Sequence, residues 1–240
     1  MFYYDPTYIL VIIGLILSLI ASTKLKSTYA KYSKIRSVYG LTGADVARKI
    51  MAANDIYGVE VNQVAGELTD HYDPTKKVVN LSQAVYGSTS IAALGVAAHE
   101  CGHVIQDHTE YFPLRLRHAL VPIANIGGKL GFPLVIIGIL FGALINNYFG
   151  FSISDTLIKV GLIAYGLAVL FQVVTLPVEY NASNRAREQL YSLGLITEEE
   201  KNAVKQVLSA AALTYVASAL SSALSLIRLI LISGGGNRRR

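Results

Sequence analysis

Charge is scarce in this chain. Of 240 residues only 15% are Asp, Glu, Lys or Arg, against 52% hydrophobic, and the mean hydropathy is +0.44. Soluble domains carry about a quarter charged residues, so the shortage argues for contact with lipid. Cysteine is nearly absent: Cys101 stands alone, which excludes an intrachain disulfide and leaves the redox compartment open. Lys and Arg are missing from residues 1–7 and cluster instead after the first apolar run. A cleavable signal peptide has the reverse order, so this run is expected to be a retained anchor with its N-terminus outside. There is no internal repeat, and low complexity is confined to the Gly234–Gly236 and Arg238–Arg240 tail.

The missing charge is concentrated in four windows. Residues 6–23, 130–154, 160–178 and 206–227 contain no Asp, Glu, Lys or Arg, and each approaches the ~20 residues a helix needs to cross a bilayer core. The net charge of +5 is modest, and the basic residues lie beside the apolar windows. That is a topology signal and not a nucleic-acid footprint, so the expected partner is the lipid bilayer, with no nucleic acid.

Between the first and second windows, residues 24–129 hold most of the water-soluble structure. A helix is predicted from Leu41-Thr42-Gly43 to about Asn54, with Val46, Ile50 and Met51 on one face. Residues 59–64 and 66–72 read as strands. Asp73-Pro74-Thr75-Lys76 is a turn signal, and Val78, Val79 and Leu81 form a third strand. Ser82 is placed to cap a short helix. A long Ala-rich helix follows over residues 90–108. Residues 116–128 are predicted as an interfacial helix, 130–146 and 158–176 as the second and third spans, and 207–226 as the fourth. The fold class is therefore a mainly α membrane protein, with about four membrane helices plus a small α+β zincin-like catalytic unit. Its expected parts are an N-terminal membrane anchor (1–23), a catalytic unit (24–117), a membrane helix hairpin (118–178), a polar segment (179–205) and a C-terminal membrane or membrane-packed helix with a basic tail (206–240).

The long helix carries His99-Glu100-Cys101-Gly102-His103, an H-E-x-x-H pattern. Imidazoles four residues apart on a helix are offset by about 40° around its axis, so both can bind one metal ion. Glu100 then stands beside a metal-bound water and can take its proton while the metal lowers that water's pKa towards ~7. An ordinary helix face could carry such a pair by chance. Here Leu94 to Ala98 and Val104-Ile105 flank it with apolar residues and bury the helix. Ala97, Ala98, Cys101 and Gly102 are small enough for close packing, which is also the reading of Cys101.

A catalytic zinc site takes three protein ligands and leaves a position open. His108 is a poor third ligand, turned about 140° from His103 on a continuing helix. The metzincin pattern also fails, since its Gly and His positions are Gln106 and Thr109. Glu179 is the stronger candidate. It stands one residue past a charge-free window, where a carboxylate must be solvated, paired or bound to metal, and Tyr180, Ala182 and Ala186 suggest a packed helix that turns it inward. Topology agrees, because two spans separate His103 from Glu179 and return the chain to the same side. Twelve Lys/Arg in residues 24–129 and four in 185–205 share that side, while residues 146–155 have none. The positive-inside rule makes it the cytoplasm, so the chain is expected in the cell (inner) membrane, multi-pass, with its site facing the cytoplasm. The Arg238–Arg240 tail conflicts with a fully crossing fourth span, so either that helix re-enters or packs against the others, or the tail is an exception.

These blocks resemble a known family. Leu68-Thr69-Asp70-His71-Tyr72-Asp73-Pro74, Leu81-Ser82, Val85-Tyr86, Ala97-Ala98-His99-Glu100-Cys101-Gly102-His103 and Pro177-Val178-Glu179-Tyr180-Asn181-Ala182-Ser183 occur in order over nearly the whole chain. They resemble the YugP-type neutral zinc metallopeptidases of bacterial membranes, and more distantly the HtpX-type membrane proteases. The resemblance implies one zinc ion per chain on His99, His103 and Glu179, with Glu100 as general base. Where the HtpX-like pattern has a supporting Asp, this chain has Ser183.

Asp70-His71-Tyr72-Asp73 reads as a turn between strands and not as a second metal site. His71, Tyr72 and Arg185 are candidate transition-state or substrate contacts, and the sequence does not choose among them. The expected function is a membrane-embedded, gluzincin-like zinc metalloendopeptidase that hydrolyses peptide bonds by a zinc-activated water. Its substrates would be peptides or proteins, membrane proteins among them. The rival is a non-enzymatic membrane scaffold with a structural zinc site, which would need a fourth protein ligand.

Overall fold

Among the described residues this pattern gives seven helices and three strands. A computed structural model describes residues 5–145 and 152–234; the Arg238–Arg240 tail and most of the loop expected over residues 146–155 lie outside the described residues. In chain order the elements are α1 (Tyr8–Tyr32), α2 (Gly43–Ala53), β1 (Glu60–Val64), β2 (His71–Asp73), β3 (Val78–Ser82), α3 (Gln83–Tyr86), α4 (Ile91–His108), α5 (Phe112–Ile145), α6 (Ser152–Ser192) and α7 (Glu198–Gly234). Helices α1, α5, α6 and α7 are each long and apolar enough to cross a membrane. The protein is a mainly α membrane protein with a small α+β unit.

The long helices run further than the sequence predicts. The interfacial helix and second span are one helix, α5, with Pro122 and Pro133 inside it. The third span and the helix after it are likewise continuous in α6 through Pro177, and α7 runs unbroken from Glu198 through the fourth span. Glycine and proline break helices in water but are tolerated in membrane helices, where neighbouring groups satisfy the freed backbone.

The described residues divide into two compact units, and each long helix contributes to both. The first comprises Met1–Ile20, Leu116–Thr175 and Tyr215–Arg240. Its helices approach closely at small residues, as membrane interfaces do. A Cβ at Gly131 would lie 2.7 Å from the Tyr165 backbone nitrogen, and one at Gly161 would lie 2.8 Å from the Gly131 carbonyl. Leu15, Leu19, Ile126 and Ile163 are exposed, as lipid-facing side chains are. Arg228 of α7 is buried and pairs with Asp5 at 3.1 Å, its guanidinium above the Tyr8 ring. A charge inside a span needs such a partner.

The second unit comprises Ala21–Arg115 and Leu176–Thr214. Thr42 caps α2 and forms a capping box with Asp45, the arrangement that satisfies orphan N–H groups at a helix start. Val46, Ala47 and Ile50 then pack in one core with Ala97, Ala98, Cys101, Ala186 and Leu190. The sheet order is β1-β3-β2, with β1 parallel to β3 in the register Glu60–Val78 and β2 antiparallel in the register Tyr72–Val79. The second strand starts later than residue 66 because Gly66 and Leu68 have positive φ, which no extended strand accommodates. Ser82 occupies the N-cap of α3 without capping it, since its hydroxyl is given to Asp70.

Candidate metal centre

Helix α4 starts at the Ser90 cap, whose hydroxyl accepts the Ala93 N–H. Its 18 residues carry His99 and His103 one turn apart, with ring centroids 4.9 Å apart and nearly perpendicular. Opposite them, Val178, Ala182, Ala186 and Leu190 make the buried stripe of α6. Glu179 belongs to that face, and its side chain is only 2% exposed. Tyr180, expected to pack there, points outward and is 48% exposed, being one 100° step away on the helix.

Gly102 permits the approach. A Cβ added there would strike the Ala182 carbonyl oxygen, so α4 and α6 meet backbone to backbone at this level. Glu179 thereby places Oε2 at 3.2 Å from His99 Nε2 and 3.6 Å from His103 Nε2. The ligand atoms of the three residues all lie within 4.8 Å of one another. Two imidazole nitrogens and a carboxylate oxygen are the donor types of catalytic zinc sites, so the set fits that metal. Among the described residues this group contains three potential ligands, not four.

Each imidazole is held from behind. His99 Nδ1 lies 3.1 Å from Ser183 Oγ, so a hydroxyl stands where the HtpX-like pattern has an Asp. His103 Nδ1 lies 3.0 Å from Gln106 Oε1. Gln106 is fully buried and donates its amide to the Val178 carbonyl at 2.8 Å and to Asn181 Oδ1 at 3.0 Å. Sequence reasoning missed Gln106, noticing it only as the residue that spoils a metzincin pattern. A buried amide three residues after a motif histidine, hence on its face of the helix, was the available signal.

Glu100 is buried beside the two histidines. Burial pushes its carboxyl up to about 7, opposed first by the charge of His99, while the Glu179 and Asp70 carboxylates push it further up and the Tyr72 backbone N–H pulls it down. Asp70 accepts the Ser82 N–H at 2.7 Å, and burial raises its own carboxyl above the usual range. Asp73 accepts the N–H groups of Thr75 and Lys76. The segment expected to be a turn between strands is thus itself a strand, since His71–Asp73 form β2 and pair with β3; only the N–H groups after Asp73 are held as in a turn.

Two helix histidines and a carboxylate that could hold one metal ion thus stand beside a buried glutamate in an H-E-x-x-H pattern. A profile of the family described as "Putative neutral zinc metallopeptidase" matches residues 7–234. The chain belongs to this family. It is also 46% identical over 223 residues to the protein named "Putative membrane protease YugP" of Bacillus subtilis (strain 168), covering 93% of this chain and 94% of that one. No solved structure matches.

The remaining candidates are placed as follows. The Tyr72 hydroxyl donates to Asp107 at 2.7 Å, a carboxylate that also accepts from Lys77. His71 is exposed, with Nδ1 at 2.8 Å from the Thr69 carbonyl and Nε2 at 3.1 Å from the Asn80 amide. Arg185 Nε donates to Asn181 at 2.8 Å, with its guanidinium 5.9 Å from the Tyr111 ring centroid. His108 is exposed at the end of α4, outside the ligand cluster. The Cys101 sulfur faces the Ala47 carbonyl at 3.6 Å in the α2–α4 core, and burial raises its thiol far above the usual range.

Proposed function

We propose that the protein is a membrane-embedded zinc metalloendopeptidase in which His99, His103 and Glu179 hold the ion and Glu100 is the general base. The observation that carries this reading is the convergence of two Nε2 atoms and one carboxylate oxygen from segments 76 residues apart in sequence. A zinc ion held by them would supply Lewis acidity and activate a water as the nucleophile. Glu100, poised near neutrality, accepts a proton from the attacking water and returns it to the leaving nitrogen. The cluster of three ligands favours this reading over a scaffold with a closed structural site. Of the three candidate contacts, Arg185 is the transition-state donor we favour. Its Nη groups make no hydrogen bond among the described residues, whereas the Tyr72 hydroxyl and both His71 nitrogens are engaged. The sequence topology places the site on the cytoplasmic side of the cell membrane, within reach of loops and ends of membrane proteins.

The deciding experiment compares the parent with Glu100→Gln, purified in detergent, on an unfolded protein substrate. Both should carry about one zinc per chain. The variant should lose about 10²–10⁴-fold in rate, the usual worth of a positioned base. Equal cleavage by the two proteins would refute the mechanism.

A further inference from the structure

The two histidines are not held equally. A hydroxyl can donate or accept, so Ser183 Oγ at 3.1 Å from His99 Nδ1 is compatible with either tautomer of that ring. Gln106 leaves His103 no such choice. The Val178 carbonyl only accepts, so the Gln106 atom 2.8 Å from it must be the amide nitrogen. Arg185 Nε only donates, so the Asn181 atom 2.8 Å from it must be the oxygen, and that oxygen takes the second Gln106 N–H. Both amide hydrogens are thereby committed to α6. The remaining Gln106 atom is a bare carbonyl oxygen, 3.0 Å from His103 Nδ1. It can only accept, so Nδ1 carries a proton, which leaves Nε2, 3.6 Å from Glu179 Oε2, as the ring atom on the metal side.

We propose that Gln106 is the positioning residue of this site, fixing His103 in its Nδ1–H tautomer through an amide clamped by the Val178 carbonyl and Asn181, with Arg185 as the outer support. The proposal rests on the zinc reading for its purpose, though not for its geometry. A ring held in this way keeps Nε2 as its metal-binding atom. Val178 directly precedes Glu179, so the same amide also ties the second histidine to the helix that brings the third ligand. Its buried carboxamide would otherwise cost free energy with no partner.

The test uses the full chain in detergent with ¹⁵N-labelled histidine, at a pH above the one at which the ring nitrogen resonances stop titrating, so that each imidazole is neutral. In the zinc-free parent the ring nitrogen shifts should report His103 as Nδ1–H. Gln106→Met, of similar volume but without donor or acceptor, should release His103 to a mixture of tautomers. It should also weaken zinc binding, measured by chelator competition, by about 10–100-fold. The His99 signals should stay as in the parent, which reports an intact helix pair. Gln106→Glu keeps an acceptor and should retain the Nδ1–H tautomer; if the Met variant disturbs His99 as well, this variant decides. The proposal is overturned if parental His103 carries its proton on Nε2. It is also overturned if Gln106→Glu loses the Nδ1–H form, or if Gln106→Met keeps both tautomer and zinc affinity. A parent that binds no zinc would sink the peptidase reading, while the tautomer result would still decide the role of Gln106.

Discussion

Glu179 sets a carboxylate oxygen between two imidazole nitrogens in a pocket that water barely reaches. Glu179→Gln replaces that anion with a neutral amide, a poorer zinc donor. Zinc affinity should fall by more than the ~10–100-fold expected for an outer partner, while His108→Ala should bind zinc as the parent does. Chelator competition on both variants checks this; full retention in Glu179→Ala with loss in His108→Ala would move the third ligand to α4. Glu100 gives a pH signature of its own. Its folded carboxyl titrates near 7 against an ordinary 4.5, so the metal-free fold prefers the protonated form. The penalty for ionising it is absent below about pH 4.5, develops up to about 7 and is complete above, on the order of 3 kcal/mol. Glu100→Gln removes it. Thermal unfolding of zinc-stripped protein at about pH 5 and pH 8 should therefore show a smaller alkaline loss in the variant than in the parent.

At the scale of elements, the approach of α4 to α6 depends on the hydrogen atom that is the whole side chain of Gly102. Gly102→Ala puts a methyl group against the Ala182 carbonyl oxygen, a backbone atom that cannot rotate away. Ala favours helix over Gly by about 1 kcal/mol, so α4 itself should be sound by circular dichroism. The two helices should separate, and zinc binding and proteolysis should fall together. Unchanged zinc affinity would mean the helices do not need this contact. What the sequence disclosed follows the same logic. The His pair, Glu100 and Glu179 were legible because spacing on a helix and an interrupted charge-free window are local patterns. The lengths of α5 and α6 were not, because Gly127-Gly128-Lys129 and Pro177 are breakers by the rules of water-soluble helices. The clasp of Gln106 by Asn181 joins residues 75 apart, and no local pattern announces it. The late start of β2 was hidden because positive φ at Leu68 is decided by tertiary packing and not by propensity.

For the whole molecule, the parts of the centre lie far apart along the chain: the histidines precede α5, and Glu179 follows the apolar stretch of α6. During synthesis, two apolar helices must emerge and be accommodated by the bilayer before Glu179 exists. On the proposed reading, a nascent chain that carries His99-Glu100-Cys101-Gly102-His103 without Glu179 is accordingly not yet a protease. On the proposed reading, chain order acts as a safety catch, postponing hydrolytic capacity until α5 and the apolar stretch of α6 have been made. A chain ending at residue 175 should accordingly insert, yet show neither high-affinity zinc uptake nor cleavage of its neighbours, whereas one extended through α7 should show both. Timed zinc incorporation into arrested chains of the two lengths would measure when the catch is released.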